Sequence, residues 1–263
     1  MRDLRILAVQ TRFALLAARR NPSVLVFNIA LPIFLLVLFE AVFTRGGNRT
    51  THVAGELIST KAYYVAGLAA YAVMLQTFTT LAINVTTQRE TGQLKRLRGT
   101  PMPAWSFIGA NVLRSVALVV TMVLVVFLIG TLAFGVHLHG AGVLGLVLYV
   151  ALATIAFSAL GLAVTVVCRT TESAGVVGPF AAIILSFLSG AFIPIAVLPS
   201  WLATVGKVFP LYHLAAGMQR GLAENAAGTG LTAVDLGILA IWALAGLLLA
   251  VRFFRWEPQA SRG

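Results

Sequence analysis

A chain of 263 residues that is 59% hydrophobic and only 10% charged, with a mean hydropathy of +0.95, carries more apolar surface than a soluble domain of its size can bury. The net charge of +11 would suit nucleic acid if it lay on one polar face, but the basic residues flank apolar runs, which orients membrane spans and leaves no nucleic-acid partner to expect. A single cysteine, Cys168, excludes an internal disulfide and any CxxC metal or redox motif.

In chain order, residues 1–22 predict an interfacial helix on the inner leaflet. Arg5, Arg12 and Arg19 recur every seven residues and so stay within about 40° of one another around a helix, with Leu4, Leu7 and Leu15 turned away. Asn21-Pro22 supplies a cap and a first-turn proline. A first span follows over about 23–43, interrupted by Pro32 and carrying Asn28 and Glu40. This run is too long for a signal-peptide core and is expected to stay as an anchor. Residues 44–61 are polar and read as a loop outside the membrane.

The second span, about 62–85, carries Gln76, Thr80 and Asn84 at four-residue spacing, hence on one face, with Thr77 beside them. Residues 86–104 form a polar island between two long apolar runs. Leu94 and Leu97, three apart among Arg89, Lys95, Arg96 and Arg98, predict a short amphipathic helix that ends at Gly99 and Pro101. So short a helix is not stable alone, and it needs a surface to dock on.

Trp105 marks an interface, and a third span runs about 107–134 with Arg114 near its start, placed to snorkel inward. His137 and His139 lie on a short loop with no third ligand nearby, so no metal site is expected. A fourth span (143–167), a tight polar turn from Cys168 to Ser173 and a fifth span (174–195), with Pro179 and Pro194 breaking its ends, come next. Residues 197–232 hold apolar stretches of about ten residues, too short to cross, and suit a re-entrant hairpin. A sixth span, about 233–254, ends in a basic tail. The fold class expected is thus an all-α integral membrane protein of six transmembrane helices. No linker divides it, so 1–263 reads as one domain.

Six spans put both termini on one side. That side would hold Arg2, Arg5, Arg12, Arg19, Arg20, Arg89, Lys95, Arg96, Arg98, Arg169, Arg252, Arg255 and Arg262, against Arg45, Arg49, Lys61, Lys207 and Arg220 opposite. The excess predicts cytoplasmic termini and a cytoplasmic polar island.

Two segments then carry a family resemblance. One is Arg89-Glu90-Thr91-Gly92-Gln93-Leu94-Lys95-Arg96-Leu97-Arg98-Gly99-Thr100-Pro101. The other is Ser189-Gly190-Ala191-Phe192-Ile193-Pro194, followed by Leu198-Pro199-Ser200-Trp201 and Phe209-Pro210-Leu211-Tyr212. With the six-span plan they resemble the ABC-2 type permeases of ABC transporters, especially the daunorubicin-resistance-like branch. The resemblance implies an exporter subunit of a bacterial inner membrane that dimerises and binds an ABC ATPase. Arg89, Glu90, Gly92, Leu94, Lys95, Arg96, Leu97 and Arg98 would form its coupling helix. The stretch with Phe192, Pro194, Pro199, Trp201, Pro210 and Tyr212 would dip into the outer leaflet as an exit gate.

No GxxxxGK[ST] occurs, so ATP and Mg would be bound by the partner ATPase and this chain would hold no cofactor. No GxSxG, HExxH or intramembrane carboxylate cluster points to an enzyme. The face of Gln76, Thr77, Thr80 and Asn84 has two readings: bonds between helices, or the lining of a substrate path facing Asn28, Ser186, Phe187 and Ser189. It carries no fixed charge, which favours a lipophilic or amphipathic cargo in contact with membrane lipid. Export of a lipid-linked glycan and a non-transporting scaffold are the alternatives; the mainly Phe lining (Phe27, Phe34, Phe187) weighs modestly against the glycan, which stacks best on Trp and Tyr.

Overall fold

The computed structural model describes residues 2–20, 22–43, 50–53, 56–99, 104–223 and 228–253. Helix α1 (Arg2–Arg19) precedes α2 (Pro22–Phe43), and strands β1 (Thr50–Val53) and β2 (Glu56–Ser59) make a small antiparallel hairpin pairing Thr50 with Ser59. Then come α3 (Thr60–Met74) and α4 (Thr80–Glu90), joined through the π-helical segment Leu75–Thr79, and the short α5 (Gln93–Arg98). The rest is α6 (Ala104–Phe134), α7 (Gly140–Val164), α8 (Thr171–Leu188), a 3₁₀ turn (Ile195–Val197), α9 (Ser200–Gly206), α10 (Pro210–Gly221) and α11 (Ala233–Phe253).

Among the described residues five helical stretches are long and apolar enough to cross a bilayer: Thr60–Glu90, Gly109–Phe134, Gly140–Val164, Thr171–Leu188 and Ala233–Phe253. Two shorter apolar stretches, Ile6–Ala17 and Ile29–Phe43, belong to α1 and α2. This is an all-α membrane protein, with one β-hairpin that the sequence reading left as loop. Ser59 ends that hairpin and caps α3 by accepting from the Ala62 amide at 3.3 Å.

The helix from Thr60 to Glu90 is the central post. Its apolar window is 94% buried, against 22% to 50% for the other four, which turn large apolar side chains outward. That contrast is what lipid as solvent produces: the periphery need not hide apolar groups, and only the centre packs protein on all sides. Small residues permit the packing. A side chain at Gly161 of α7 would meet the Thr77 and Phe78 carbonyl oxygens at 2.9 and 2.8 Å, so α7 lies directly on the π segment. On α1, Leu7 lies against Gly109 of α6, while Val9, Phe13 and Leu16 stay exposed along one face.

Two expected boundaries move. The fifth span ends at Leu188, because Gly190 takes a left-handed φ of 75° and turns the chain. Pro179 ends nothing: it sits inside α8, and at Gly178 beside it a Cβ would lie 3.0 Å from Thr79 Cγ2, so α8 packs closely on the π segment there. Within 197–232 the described residues form two short helices, α9 and α10, and Gly206 brings α9 against the backbone of Leu188, where a Cβ would lie 2.0 Å from its carbonyl oxygen.

Candidate functional site

The polar island begins as the last turn of α4 and breaks at Gly92, whose φ of 71° only glycine adopts without strain. Before the break, two adjacent side chains take hold of the turn between α7 and α8. Arg89, 4% exposed, donates from Nη1 to the Thr165 carbonyl oxygen at 2.8 Å and from Nη2 to those of Cys168 at 2.6 Å and Arg169 at 3.3 Å. Those carbonyls follow the C-terminus of α7, where the helix dipole favours a cation.

Glu90 takes the other end. Its Oε2 accepts from the Thr171 amide at 2.9 Å and from the Thr171 hydroxyl at 2.5 Å, at the first residue of α8, whose amides have no partner within the helix. Thr170 and Ser173 close a capping box beside it, and the Thr171 hydroxyl lies 3.2 Å from that of Thr87. One arginine and one glutamate thus satisfy two helix ends of opposite polarity. The segment is thereby bonded to two spans besides the two it joins in sequence.

After Gly92, Leu94 is fully buried within the chain, whereas Gln93, Lys95 and Arg96 are exposed. Leu94 therefore seats α5 on its own protein and is not an apolar surface left open to a partner. The side chains of Leu97 and Arg98 and residue Pro101 lie outside the description, as do those of Asn28, Phe27 and Trp105 and residues Arg45, Arg49, Arg255 and Arg262.

Cys168 is 1% exposed; burial pushes its thiol up from the ordinary range, against the pull of Ser173 and Arg89. The native thiol is expected to resist a membrane-impermeant maleimide, whereas Arg169→Cys in a Cys168→Ser background, at an exposed neighbour, reacts readily. Fast labelling of native Cys168 would contradict this packing.

Five of the expected path residues, Gln76, Thr77, Thr80, Ser186 and Ser189, are packed inside the chain. Gln76 is 3% exposed, Thr77 0%, Thr80 9% and Ser186 0%. The hydroxyls of Thr77, Thr80 and Ser186 bond carbonyls of their own helices, to Val73 at 2.6 Å, Leu75 at 3.1 Å and Ala182 at 2.7 Å, and Asn84 donates to the Thr80 carbonyl at 2.7 Å. Phe187 is exposed, and Ser189 is buried with its hydroxyl 3.3 Å from the Ser186 carbonyl oxygen.

At the opposite end of the spans, the Gly190 carbonyl receives the hydroxyl of Tyr63 and the amide nitrogen of Gln219, the latter at 3.2 Å. Tyr63, Ser189, Pro194, Tyr212 and Gln219 border a small cleft there. Phe192 is buried among the rings of Phe39, Tyr71 and Phe187, with centroids 5.0 to 5.5 Å away. Pro210 starts α10 at a buried first-turn position, while Pro199 and Trp201 are exposed.

Sequence reasoning missed a charged cluster in which Asp235 of α11 binds both His213 and Arg220 of α10, with Tyr149 of α7 alongside. The signal available was Asp235 in the first turn of an apolar span, with two basic groups upstream in the hairpin. Among the described residues, no three His, Cys, Asp or Glu side chains gather as a metal site.

With the central post, the clamp and the Ser189–Pro194 turn in place, comparison decides the family. Residues 6–222 match the ABC-2 type transporter family. The chain belongs to that family. It is also similar to a Bacillus subtilis (strain 168) protein whose name describes it as a transport permease, YvfS. The two are 23% identical over 198 residues, covering 75% of this chain and 78% of the relative. An ABC-2 protein is the transmembrane part of an ABC transporter, and its family implies an ABC ATPase as partner. The match ends at Leu222, so it spans the Arg89–Glu90 clamp and the Ser189–Pro194 turn but not α11.

Proposed function

We propose that this chain is the permease subunit of an ATP-driven exporter, working as a dimer of six-span protomers in a bacterial inner membrane with both termini cytoplasmic. A separate ATPase binds the nucleotide and Mg, and α5 with its flanks is the coupling element. The observation that supports this reading best is the double grip of Arg89 and Glu90 on the α7–α8 turn, which ties the segment between the second and third spans to the fourth and fifth. Gln93, Lys95 and Arg96 are the exposed groups left to meet the ATPase, while Leu94 holds α5 down.

The cargo we assign is lipophilic or amphipathic, since the face of Gln76, Thr77, Thr80 and Asn84 carries no charge. Gln76, Thr77 and Thr80 are closed off by packing here and Asn84 is half-buried, so a path along this face opens only when the fifth span moves away from the second. The clamp is placed to deliver that movement, because Glu90 is bonded to the first residue of the fifth span.

The test is purification of the chain with the ATPase it retains from its native membrane, followed by reconstitution into vesicles. ATP-dependent movement of a lipophilic dye supports the assignment, with the Arg169→Cys probe labelled from the cytoplasmic face alone. Absence of any retained ATPase, or movement only of lipid-linked glycan, would replace it with the scaffold or the glycan reading.

A further inference from the structure

At the end of the fold away from the Arg89 clamp, His213 makes two hydrogen bonds whose partners both accept. Its Nδ1 is 2.5 Å from Asp235 Oδ1, and its Nε2 is 2.8 Å from the carbonyl oxygen of Lys207 in the α9–α10 turn. A neutral imidazole has one N–H, so it can donate to one of these oxygens and must turn a lone pair on the other. Both bonds exist together only when the ring carries its second proton.

The remaining alternative is a protonated Asp235 donating to a neutral ring, and the surroundings oppose it. Asp235 Oδ2 already faces the Arg220 guanidinium and accepts from the Thr232 hydroxyl at 2.6 Å. Tyr149 Oη accepts from Arg220 Nη2 at 3.2 Å and from the Thr232 amide at 3.1 Å, and its own proton reaches the Gly230 carbonyl at 3.4 Å or Asp235 Oδ2 at 3.5 Å, so this hydroxyl too comes to the carboxylate as a donor. A cation and a hydroxyl donor on one oxygen hold Asp235 as the anion, and the imidazolium follows.

We infer that His213 is a buried proton-binding site whose proton latches the α9–α10 hairpin to α11. His213 is 4% exposed and Asp235 5%, so no bulk water stands ready to replace the bond between them, while the bond to Lys207 is part-buried. Facing the ring are Tyr212, at 5.0 Å between centroids, and Arg220 on α10, the Lys207 turn, Tyr149 from α7 and Asp235 from α11. Tyr63 reaches α10 from α3 through Gly190 and Gln219.

Arg220 repels a proton on the ring and Asp235 attracts it, and the carboxylate is the group in direct contact. When the proton leaves, the ring gives up either the Lys207 carbonyl or Asp235. The turn is then held to α11 by Trp242, which donates to the Val208 carbonyl at 2.9 Å and stacks on Phe209. Because the folded chain binds this proton and an unfolded chain has no such pair of acceptors, the stabilisation is full on the acid side. It is lost once the ring gives that proton up.

The full-length chain in detergent tests this with His213→Gln, which keeps one donor and one acceptor but cannot titrate. Between about pH 5 and pH 8 the wild-type Tm is expected to fall by roughly 3 to 6 °C more than that of the variant, whose profile is flat in this component. Equal pH dependence in the two proteins would overturn the proposal. Should the variant fail to fold, ¹⁵N-histidine spectra of the wild-type chain decide: hydrogen on both ring nitrogens of His213 at the acid end supports the site, and a single-proton tautomer there refutes it. Neither readout involves an ATPase, so the result is independent of the coupling assignment.

Discussion

Gly67→Ala is expected to be among the most damaging single-methyl changes in the chain. Gly67 lies in α3 on the central post, and a Cβ there would sit 2.1 Å from the Ala191 carbonyl oxygen, 2.9 Å from its carbon and 3.2 Å from its Cα. All three atoms are backbone, so no rotamer change relieves the contact, and the Ser189–Ile193 turn must move away from the second span. Alanine's higher helix propensity returns about 1 kcal/mol; overpacking against an unyielding backbone costs about 3 kcal/mol or more. The net is a loss of about 2 kcal/mol. The displacement also pulls the Gly190 carbonyl from Tyr63 and Gln219, and Phe192 from its ring cluster. Gly237→Ala is the control, since nothing lies within 4 Å of a Cβ there; it should leave stability unchanged or slightly raised. Thermal unfolding of both variants in the same detergent checks this, and equal Tm values for Gly67→Ala and wild type would mean that the close approach is absent.

The spans were legible because long apolar runs admit one reading in a bilayer, and 62–85 against the observed Thr60–Glu90 differs only at the ends. Which span is central was not legible: Ala, Gly and Tyr in 62–74 are no more apolar than the residues of the outer helices, and burial depends on their neighbours. Periodicity marked Leu94 as the apolar side of a short helix but could not say whose surface it meets. The resemblance placed Glu90 in the coupling helix but could not give its partner, the first residue of α8, which lies 81 positions on. The same distance problem hid the Asp235 cluster, because Tyr149 stands 86 residues earlier in an apolar run with no local pattern around it. The β-hairpin escaped notice because its strands are four residues each and lie in a polar segment. The π segment has no sequence signature here, and only the backbone reveals it.

Replacing the two clamp residues separately is expected to split stability from coupling. Arg89→Met keeps the length and apolar stem of the side chain but strips three carbonyls after α7 of their charged donor. Hydrogen bonds to charged groups contribute about 1.5 to 3 kcal/mol each, and partial access of water to a loop offsets some of that, so a total loss of about 2 to 4 kcal/mol is expected. The variant should melt earlier and expose Cys168 to thiol reagents as the turn loosens. Glu90→Ala acts differently, because Glu90 is exposed and water can take over the Thr171 amide. Folding and retention of the ATPase should survive, and so should basal hydrolysis. What is lost is the tie between α4 and α8, so substrate-stimulated hydrolysis and vesicle transport should fall together, by about tenfold. Three measurements on each variant suffice: Tm, pull-down of the ATPase, and ATP-driven dye movement. If Glu90→Ala transports as wild type does while Arg89→Met merely unfolds sooner, the clamp is a structural staple and the thrust of the ATPase enters the spans elsewhere.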